Sequence, residues 1–178
     1  MRIELSVAGK FWKPEDRERF EVRCREIELQ IPDSSPTAVR GYSPAVLYRG
    51  FVAQQEKVGL FESSDAFVFP SYYSAESFGL ALAEAMAFGL PCIATQWRHI
   101  PEMFPDQYPF LVDPKSPKAI AEALIHLASG RDAVPLRTHY LQHFTDRAYA
   151  DGLRSAFTLA AQAEQPRSDA NRSPHGTG

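Results

Sequence analysis

The sequence predicts an α/β fold in which helices flank a parallel β-sheet. Short apolar segments of strand length alternate along the chain with helical segments, which is the pattern of a parallel sheet. Within residues 69–101, a strand end is followed by a polar loop, a helix and a second buried strand. Strand–helix–strand units of this kind bring their loops to one edge of the sheet, where ligands bind in open α/β folds.

The elements can be placed in order along the chain. The predicted strands are 3–7, 45–48, 66–69, 92–94 and 110–112. The predicted helices are 14–29, 56–62, 78–88, 118–128 and two more within 134–162. Pro70 ends the third strand because proline cannot continue a sheet ladder, and Gly89 ends the helix 78–88 at its C′ position. Ser116 and Pro117 supply an N-cap and a first helical position for the next helix.

The helix 78–88 carries a single charge, Glu84, in an otherwise apolar sequence. We expect this helix to be buried all round, so that its carboxylate needs a hydrogen-bond partner. Glu76 lies eight positions earlier, in the loop that leads into the helix. Two carboxylates flank a helix N-terminus here, and Gly79 allows a ligand to approach the backbone. This arrangement predicts a site for a polyhydroxylated and phosphorylated ligand.

These residues resemble a known family. The segment PSYYSAESFGLALAEAMAFGLPCIAT, with seven residues between Glu76 and Glu84, resembles the Glu-x7-Glu donor-site motif of retaining glycosyltransferases of family 4, which have the GT-B fold. The match extends through LYRGFV, EKVGLFESSDAFVFPS, WRHIPEMF and LVDP and covers most of residues 3–145. The resemblance implies a Rossmann-like domain that corresponds to the C-terminal, donor-binding half of that fold.

The resemblance also implies roles for individual residues. Glu76 would be the catalytic residue, in contact with the donor sugar near the reacting carbon, and Glu84 would hold the ribose hydroxyls. The other implied donor-binding positions are Phe78, Gly79, Leu80, Gly50 and Lys57. In this family the leaving phosphate itself is thought to deprotonate the acceptor. The resemblance therefore implies no metal and no cofactor beyond the nucleotide diphosphate sugar that serves as donor substrate.

The implied function is a hexosyltransferase that moves a sugar from a nucleotide diphosphate sugar to a saccharide or lipid-linked glycan, with retention of the anomeric configuration. Only the C-terminal half is matched, so we expect the isolated chain to be incomplete and an N-terminal GT-B half to act in cis or in trans. The Arg and Lys that neutralise the diphosphate in the family would lie upstream of Met1. The alternative is a non-catalytic nucleotide-sugar-binding or interaction module left by truncation.

We expect residues 1–164 to form one domain, without its usual first strand, and residues 165–178 to form a disordered tail because they lack an apolar anchor. The missing strand would lie between the strands 3–7 and 66–69. Two arrangements are therefore open: these strands pair directly, or another polypeptide fills the gap.

Composition excludes several other classes of function. The net charge of -3 gives no electrostatic reason to expect nucleic acid or an anionic membrane surface as a partner. Cys24 and Cys92 lack metal-ligand spacing, which predicts reduced thiols. No apolar run is long enough to span a bilayer. We therefore expect a cytoplasmic protein, or one held at the inner membrane face through a missing or partner domain.

Some residues near the predicted ligand edge allow two interpretations. Tyr72 and Tyr73 either line a sugar pocket or shield the sheet edge. Trp97, Arg98 and His99 either shape the donor pocket or serve in packing, and we favour packing. His139 and His143 are four apart on a helix, as metal ligands can be, but no third ligand accompanies them in the sequence. We therefore expect no metal there.

Overall fold

A computed structural model describes residues 3–29, 46–76, 78–130 and 134–163, and the chain divides into two units after Leu60. The strands are β1 (Leu5–Ala8), β2 (Val46–Gly50), β3 (Phe67–Phe69), β4 (Cys92–Thr95) and β5 (Leu111–Val112). The helices are α1 (Pro14–Leu29), α2 (Gln54–Glu62), α3 (Leu80–Ala87), α4 (Pro117–Ala128), α5 (Leu136–His143) and α6 (Asp146–Ala163). The predicted α/β class, with parallel strands and flanking helices, is confirmed.

The first unit is built on a two-stranded sheet. β1 and β2 run parallel, and their register shifts between Val7 and Ala8. The rings of Phe11, Phe20 and Tyr48 meet with centroids 5.2, 5.5 and 5.9 Å apart, which ties α1 and the segment before it to β2. These aromatic contacts stabilise the unit although the three rings remain partly exposed.

The second unit contains a three-stranded parallel sheet in the order β3-β4-β5. All four side chains of the central strand β4 are buried, and its short apolar sequence is typical of a strand covered on both faces. Phe67 of β3 lies opposite Cys92, and Ala94 lies opposite Leu111 of β5. Apolar side chains of α3, β4 and the segment 100–112 form the core around this strand.

Tyr108 completes the hydrogen bonding at the start of β4. Its hydroxyl donates to the carbonyl of Cys92 at 2.7 Å and accepts from the backbone N–H of Cys92 at 3.1 Å. β5 begins its pairing two residues further along, at Ala94. The phenol therefore satisfies two backbone groups that a longer β5 would have bonded. Burial raises the pKa of this hydroxyl, and it raises the pKa of the Cys92 thiol to about 12.

The predicted elements are found, most of them within two residues of their expected ends, but the predicted burial of the helix 78–88 is wrong. The buried side chains of α3 form one face of the helix: Leu82, Ala83, Ala85 and Met86. On the opposite face Leu80 is 71% exposed. The prediction overestimated the burial because it rested on residue type. Alanine and leucine are apolar whether their side chains face the core or the solvent.

Three other expectations have different outcomes. The segments 3–7 and 66–69 belong to different units, so whether they pair directly or another polypeptide fills the gap stays open. The expected tail 165–178 lies outside the described residues, and a single domain over 1–164 stays a prediction. In the described part of the chain, no helix combines the length and apolar character needed to cross a membrane.

Candidate functional site

The carboxyl ends of β3, β4 and β5 lie at one edge of the second sheet because the three strands are parallel. Three connections leave from this edge: the segment 70–79 after β3, the segment 96–100 after β4 and the segment 113–116 after β5. Ligands of open α/β sheets bind at such edges. The predicted residues Glu76 and Gly79 both belong to the first of these connections.

The Glu76 carboxylate is held by Ser71, the second residue of the connection after β3. The Ser71 hydroxyl donates a hydrogen bond to Oε2 of Glu76 at 2.9 Å. The backbone N–H of Tyr73 approaches the same hydroxyl oxygen at 3.4 Å, and the N–H of Glu76 donates to the carbonyl of Tyr73 at 3.2 Å. These bonds close the segment 71–76 into a turn with Ser71 and Glu76 side by side.

Two side chains from the neighbouring strand hold the backbone of this turn. The Thr95 hydroxyl, at the end of β4, donates to the carbonyl of Ser71. The Trp97 indole N–H donates to the carbonyl of Tyr73 at 2.9 Å. Thr95 is 1% exposed, and Trp97 packs against the core, so both anchors are themselves fixed by burial. Trp97 thus packs, as favoured from the sequence, and it also holds the turn.

Gly79 joins the turn to α3 in a conformation that favours glycine. Its φ of 66° and ψ of 56° are left-handed, and a Cβ at this position would lie 3.4 Å from Cε1 of Phe69. The carbonyl of Gly79 accepts the first helical bonds, from the N–H groups of Leu82 at 2.8 Å and Ala83 at 3.2 Å. The N–H groups of the residues before Leu82 have no acceptor within the helix. Groups of this kind bind anions at helix N-termini.

Glu84 lies on the outer face of α3, one turn after Leu80. Residues four apart share a helix face, and Leu80 is the most exposed side chain of this helix. Glu84 itself is half-buried. Glu84 therefore lies with Leu80 on the partly exposed face of α3. The apolar surroundings that we expected on all sides of this residue are not found.

The carboxyl edge of the sheet carries aromatic and basic side chains as well. Lys115, in the connection after β5, places its Nζ 5.1 Å from the centre of the exposed Tyr72 ring. Phe78 lies next to the start of α3, and its ring meets that of Phe144 edge-on at 5.8 Å. Phe78 and Tyr72 are both partly open to solvent, as are the side chains of many binding sites before a ligand covers them.

Comparison with known proteins decides the family. Residues 6–130 match the family described as glycosyl transferases group 1. The chain belongs to the group 1 glycosyl transferases. The matched span begins within β1, extends past the end of α4 and includes every residue predicted for the site.

Two curated relatives carry transferase names. The chain is 31% identical over 80 residues to the O-antigen chain mannosyltransferase B of Escherichia coli, covering 45% of this chain and 20% of that protein. It is 31% identical over 116 residues to the amylovoran biosynthesis glycosyltransferase AmsK of Erwinia amylovora, covering 57% of this chain and 28% of that protein. The matched segments thus make up 20% and 28% of the lengths of these two relatives.

Solved structures show the same fold. Sucrose-phosphate synthase of Thermosynechococcus elongatus superposes with a TM-score of 0.63 at 24% identity, over 91% of this chain and 39% of that one. The C-terminal domain of the group 1 family protein LpcC of Francisella tularensis gives a TM-score of 0.57 at 24% identity, over 75% and 66% of the two chains. HepE of Anabaena, solved with UDP-glucose, gives 0.63 at 17%, over 89% and 41%. The resemblance to a GT-B C-terminal half is confirmed at the level of fold.

The site residues predicted for this transferase fall in both units. Five belong to the second unit: Glu76, Phe78, Gly79, Leu80 and Glu84. The first four are close neighbours in the sequence, in the turn and at the start of α3. Glu84 follows on the same helix. Gly50 and Lys57 belong to the first unit. Gly50 ends β2 with a φ of 68°, and its carbonyl accepts a hydrogen bond from the N–H of Gly9 at 2.7 Å. Lys57 is half-buried in α2.

His139 and His143 are in contact, with ring centroids 4.5 Å apart. Nε2 of His139 lies 3.1 Å from the carbonyl oxygen of Met103, so this ring is within hydrogen-bond distance of the protein backbone. Burial lowers the pKa of His139, and the neighbouring His143 lowers it further. Within the part of the chain that the structure describes, no group of three or more His, Cys, Asp or Glu side chains could hold a metal ion.

Ser71 and Thr95 are site residues that the sequence reasoning missed. The site predicted from the sequence includes neither of them: Ser71 follows Pro70 after one predicted strand, and Thr95 follows the predicted strand 92–94. Their position was the available signal, because hydroxyl side chains at the carboxyl ends of adjacent parallel strands lie at one edge. The pairing of Ser71 with Glu76 needs the turn geometry, which no spacing in the sequence encodes.

Proposed function

We propose that the chain is the donor-binding half of a retaining glycosyltransferase of family 4 that uses a nucleotide diphosphate sugar. Membership of the group 1 glycosyl transferases supports a transferase, and a structural neighbour was solved with UDP-glucose. The observation that carries the proposal is the joining of Glu76 to the N-terminus of α3 through the left-handed Gly79. This geometry presents a carboxylate and helix N–H groups at one edge of the sheet.

Each predicted residue has a distinct role in this proposal. The backbone N–H groups of Phe78, Gly79 and Leu80 bind oxygens of the donor sugar and the phosphates, because a helix N-terminus favours negative charge. Glu84 accepts hydrogen bonds from two ribose hydroxyls. Glu76 accepts a hydrogen bond from the donor sugar near the reacting carbon. Gly50 and Lys57, which the family resemblance implies as donor-binding, belong to the first unit, and their role stays a prediction.

The chemistry is a substitution at the anomeric carbon with retention. The bond between that carbon and the diphosphate oxygen breaks, and the acceptor oxygen forms its bond on the same face. The acceptor proton passes to an oxygen of the leaving phosphate, so no protein base, metal or cofactor takes part. The acceptor is a saccharide or lipid-linked glycan bound mainly by an N-terminal GT-B half, in cis or in trans.

Calorimetric titration of the chain with UDP, GDP, UDP-glucose and GDP-mannose tests donor binding. We expect one nucleotide sugar to bind and Glu84→Leu to weaken its binding and that of the matching diphosphate about a hundredfold or more, because two hydrogen bonds to a charged group are lost. Glu122→Gln, on the exposed side of α4, is the control and should bind normally. Binding of none of these ligands by the unaltered protein would overturn the proposed function.

Melting curves of the same variant separate a ligand-binding role of Glu84 from a structural one. A ligand-binding carboxylate predicts that Glu84→Leu melts near the temperature of the unaltered protein while nucleotide affinity falls. A carboxylate needed for folding predicts a loss of about 3–5 kcal/mol in stability. A large fall in melting temperature with unchanged affinity would contradict the assigned role.

Retention is tested on the product. The chain, assayed together with an N-terminal half, should form a glycoside whose anomeric proton shows the configuration of the donor by NMR. An inverted product would exclude the retaining mechanism while leaving donor binding intact.

A further inference from the structure

Ser71 is placed to control the direction of the Glu76 side chain. A glutamate side chain has three rotatable bonds, so a carboxylate at a half-exposed position samples several directions unless a partner holds it. The Ser71 hydroxyl supplies that partner with its 2.9 Å bond to Oε2. The hydroxyl is itself directed, because the Tyr73 N–H approaches its oxygen and leaves the O–H free to point at the carboxylate.

The backbone around Ser71 is anchored independently of Glu76. The Thr95 hydroxyl bonds the carbonyl of Ser71, and the Trp97 indole bonds the carbonyl of Tyr73. Thr95 is the last residue of β4, and Trp97 lies two residues after it. β4 is the most deeply buried strand of the second sheet. Removal of the Ser71 hydroxyl therefore deletes the contact to Glu76 and the longer contact from the Tyr73 N–H, while the bonds from Thr95 and Trp97 remain.

We propose that Ser71 is a positioning residue, which holds the Glu76 carboxylate toward the sugar of the donor through Oε2. The inference rests on the proposed function, in which Glu76 contacts that sugar. Ser71 itself touches neither sugar nor phosphate and acts through Glu76. It follows that Ser71 matters for the sugar part of the donor and is indifferent to the nucleotide part.

The sugar contribution to binding is the quantity to measure. It is the ratio of the Kd for the nucleoside diphosphate to the Kd for the corresponding nucleotide sugar, taken for UDP with UDP-glucose and for GDP with GDP-mannose. We expect Ser71→Ala to reduce this ratio by about three- to tenfold, the usual worth of one hydrogen bond, and to leave the diphosphate Kd unchanged. Ser71→Thr keeps the hydroxyl and should restore the ratio.

A double-mutant cycle shows whether Ser71 acts through Glu76. Glu76→Gln alone should reduce the ratio, and adding Ser71→Ala to it should bring no further loss, because contacts that act in series are not additive. Ser74→Ala is the matched control, since Ser74 is an exposed serine of the same turn. It should leave both Kd values unchanged. Melting curves of every variant verify that the fold is kept.

The outcomes separate the two hypotheses. If Glu76→Gln reduces the ratio and Ser71→Ala does not, or if the two effects add, Ser71 is not the positioning residue and the proposed function stands. If Glu76→Gln leaves the ratio unchanged, the role of Glu76 in the proposed function is overturned. If Ser71→Ala unfolds the protein, the Ser71→Thr ratio decides: a normal ratio supports the inference, and a ratio as low as that of Glu76→Gln overturns it.

Discussion

The two units of the chain differ in how deeply their side chains are buried. Among residues 3–26 and 46–60 of the first unit, every side chain is exposed or half-buried, including the aromatic rings that meet at Phe11, Phe20 and Tyr48. The second unit buries a continuous core in which Leu82, Met86 and Phe110 are almost inaccessible. Both units are parallel strands joined to helices, yet among the described residues the buried side chains belong to the second.

This difference explains where the transferase can hold a ligand rigidly. A side chain is positioned accurately when its own support is buried, because close-packed interiors leave few alternative conformations. Thr95 and Trp97 are supported in this way, and they fix the turn that carries Glu76. In the first unit, Gly50 and Lys57 are only half-buried. The comparison predicts that substitutions in the two units have unequal costs.

Phe110→Ala should have the largest effect on stability. This ring is almost fully buried, and it meets Tyr108 edge-on with centroids 5.8 Å apart. We expect a loss of about 3–5 kcal/mol, the range for removing a buried phenylalanine. Phe20→Ala in the first unit is the matched change and should cost at most about 2 kcal/mol, because its ring is only half-buried. Urea denaturation of both variants measures the difference, and equal losses would refute the comparison.

Tyr108→Phe removes a hydroxyl without opening a large cavity. The carbonyl and the N–H of Cys92 lose their partner at the start of β4, and each buried backbone group left unpaired costs about 1–3 kcal/mol. We expect a net loss of about 2 kcal/mol in urea denaturation. Tyr149→Phe on the exposed face of α6 is the control and should be neutral. A neutral Tyr108→Phe would mean that water replaces the phenol in solution.

Gly79→Ala tests the junction between the turn and α3. A left-handed non-glycine residue costs about 1–2 kcal/mol, and the new Cβ would meet Phe69 at ordinary contact distance. Gly130→Ala is the matched control, with a φ of 72° and nothing within 4 Å of its added Cβ. Both variants should lose similar stability. If the site is as proposed, only Gly79→Ala should also weaken nucleotide-sugar binding at a temperature where both are folded.

The smallest expected effect is a pH dependence from His139. Burial and His143 lower its pKa in the folded protein, against a smaller opposite effect of the Met103 carbonyl. The unfolded chain therefore binds more protons near the ordinary pKa of 6.5. Stability from this group is complete above that pH, falls as the pH decreases through it and levels off below the folded-state pKa. Melting temperatures between pH 5 and 8 should decline less steeply at the acidic end for His139→Gln than for the unaltered protein, with the exposed His99→Gln as control.

Much of the fold was predictable because its signals are local. Apolar runs bounded by Pro70, Gly89 and Pro117 define strands and helices, and the structure has them at nearly the expected positions. What composition could not show is which face of α3 is covered. Leu80 and Leu82 are the same residue type two positions apart, but one is exposed and the other is fully buried. The neighbours that decide this are distant in sequence.

The candidate site was predictable in its carboxylates but not in their supports. Glu76, Gly79 and Glu84 were found through the motif that they form, since the chemistry of sugars and phosphates selects those residue types. Ser71 bonds Glu76 within the turn, and Thr95 and Trp97 bond the turn from 24 residues away in sequence. The first contact depends on the geometry of the turn and the other two on how β3 and β4 pair, and the spacing of the residues shows neither.

The anchoring of the turn through its main chain has a consequence for altering the enzyme. Thr95 and Trp97 bond carbonyl oxygens, which every amino acid provides, so the path of the turn does not depend on the side chains at positions 72–75. These positions can therefore be randomised in a library while the frame around Glu76 is kept. If the site is as proposed, exchanges there, beginning with Tyr72 and Tyr73, are the starting point for selecting variants that accept a different donor sugar.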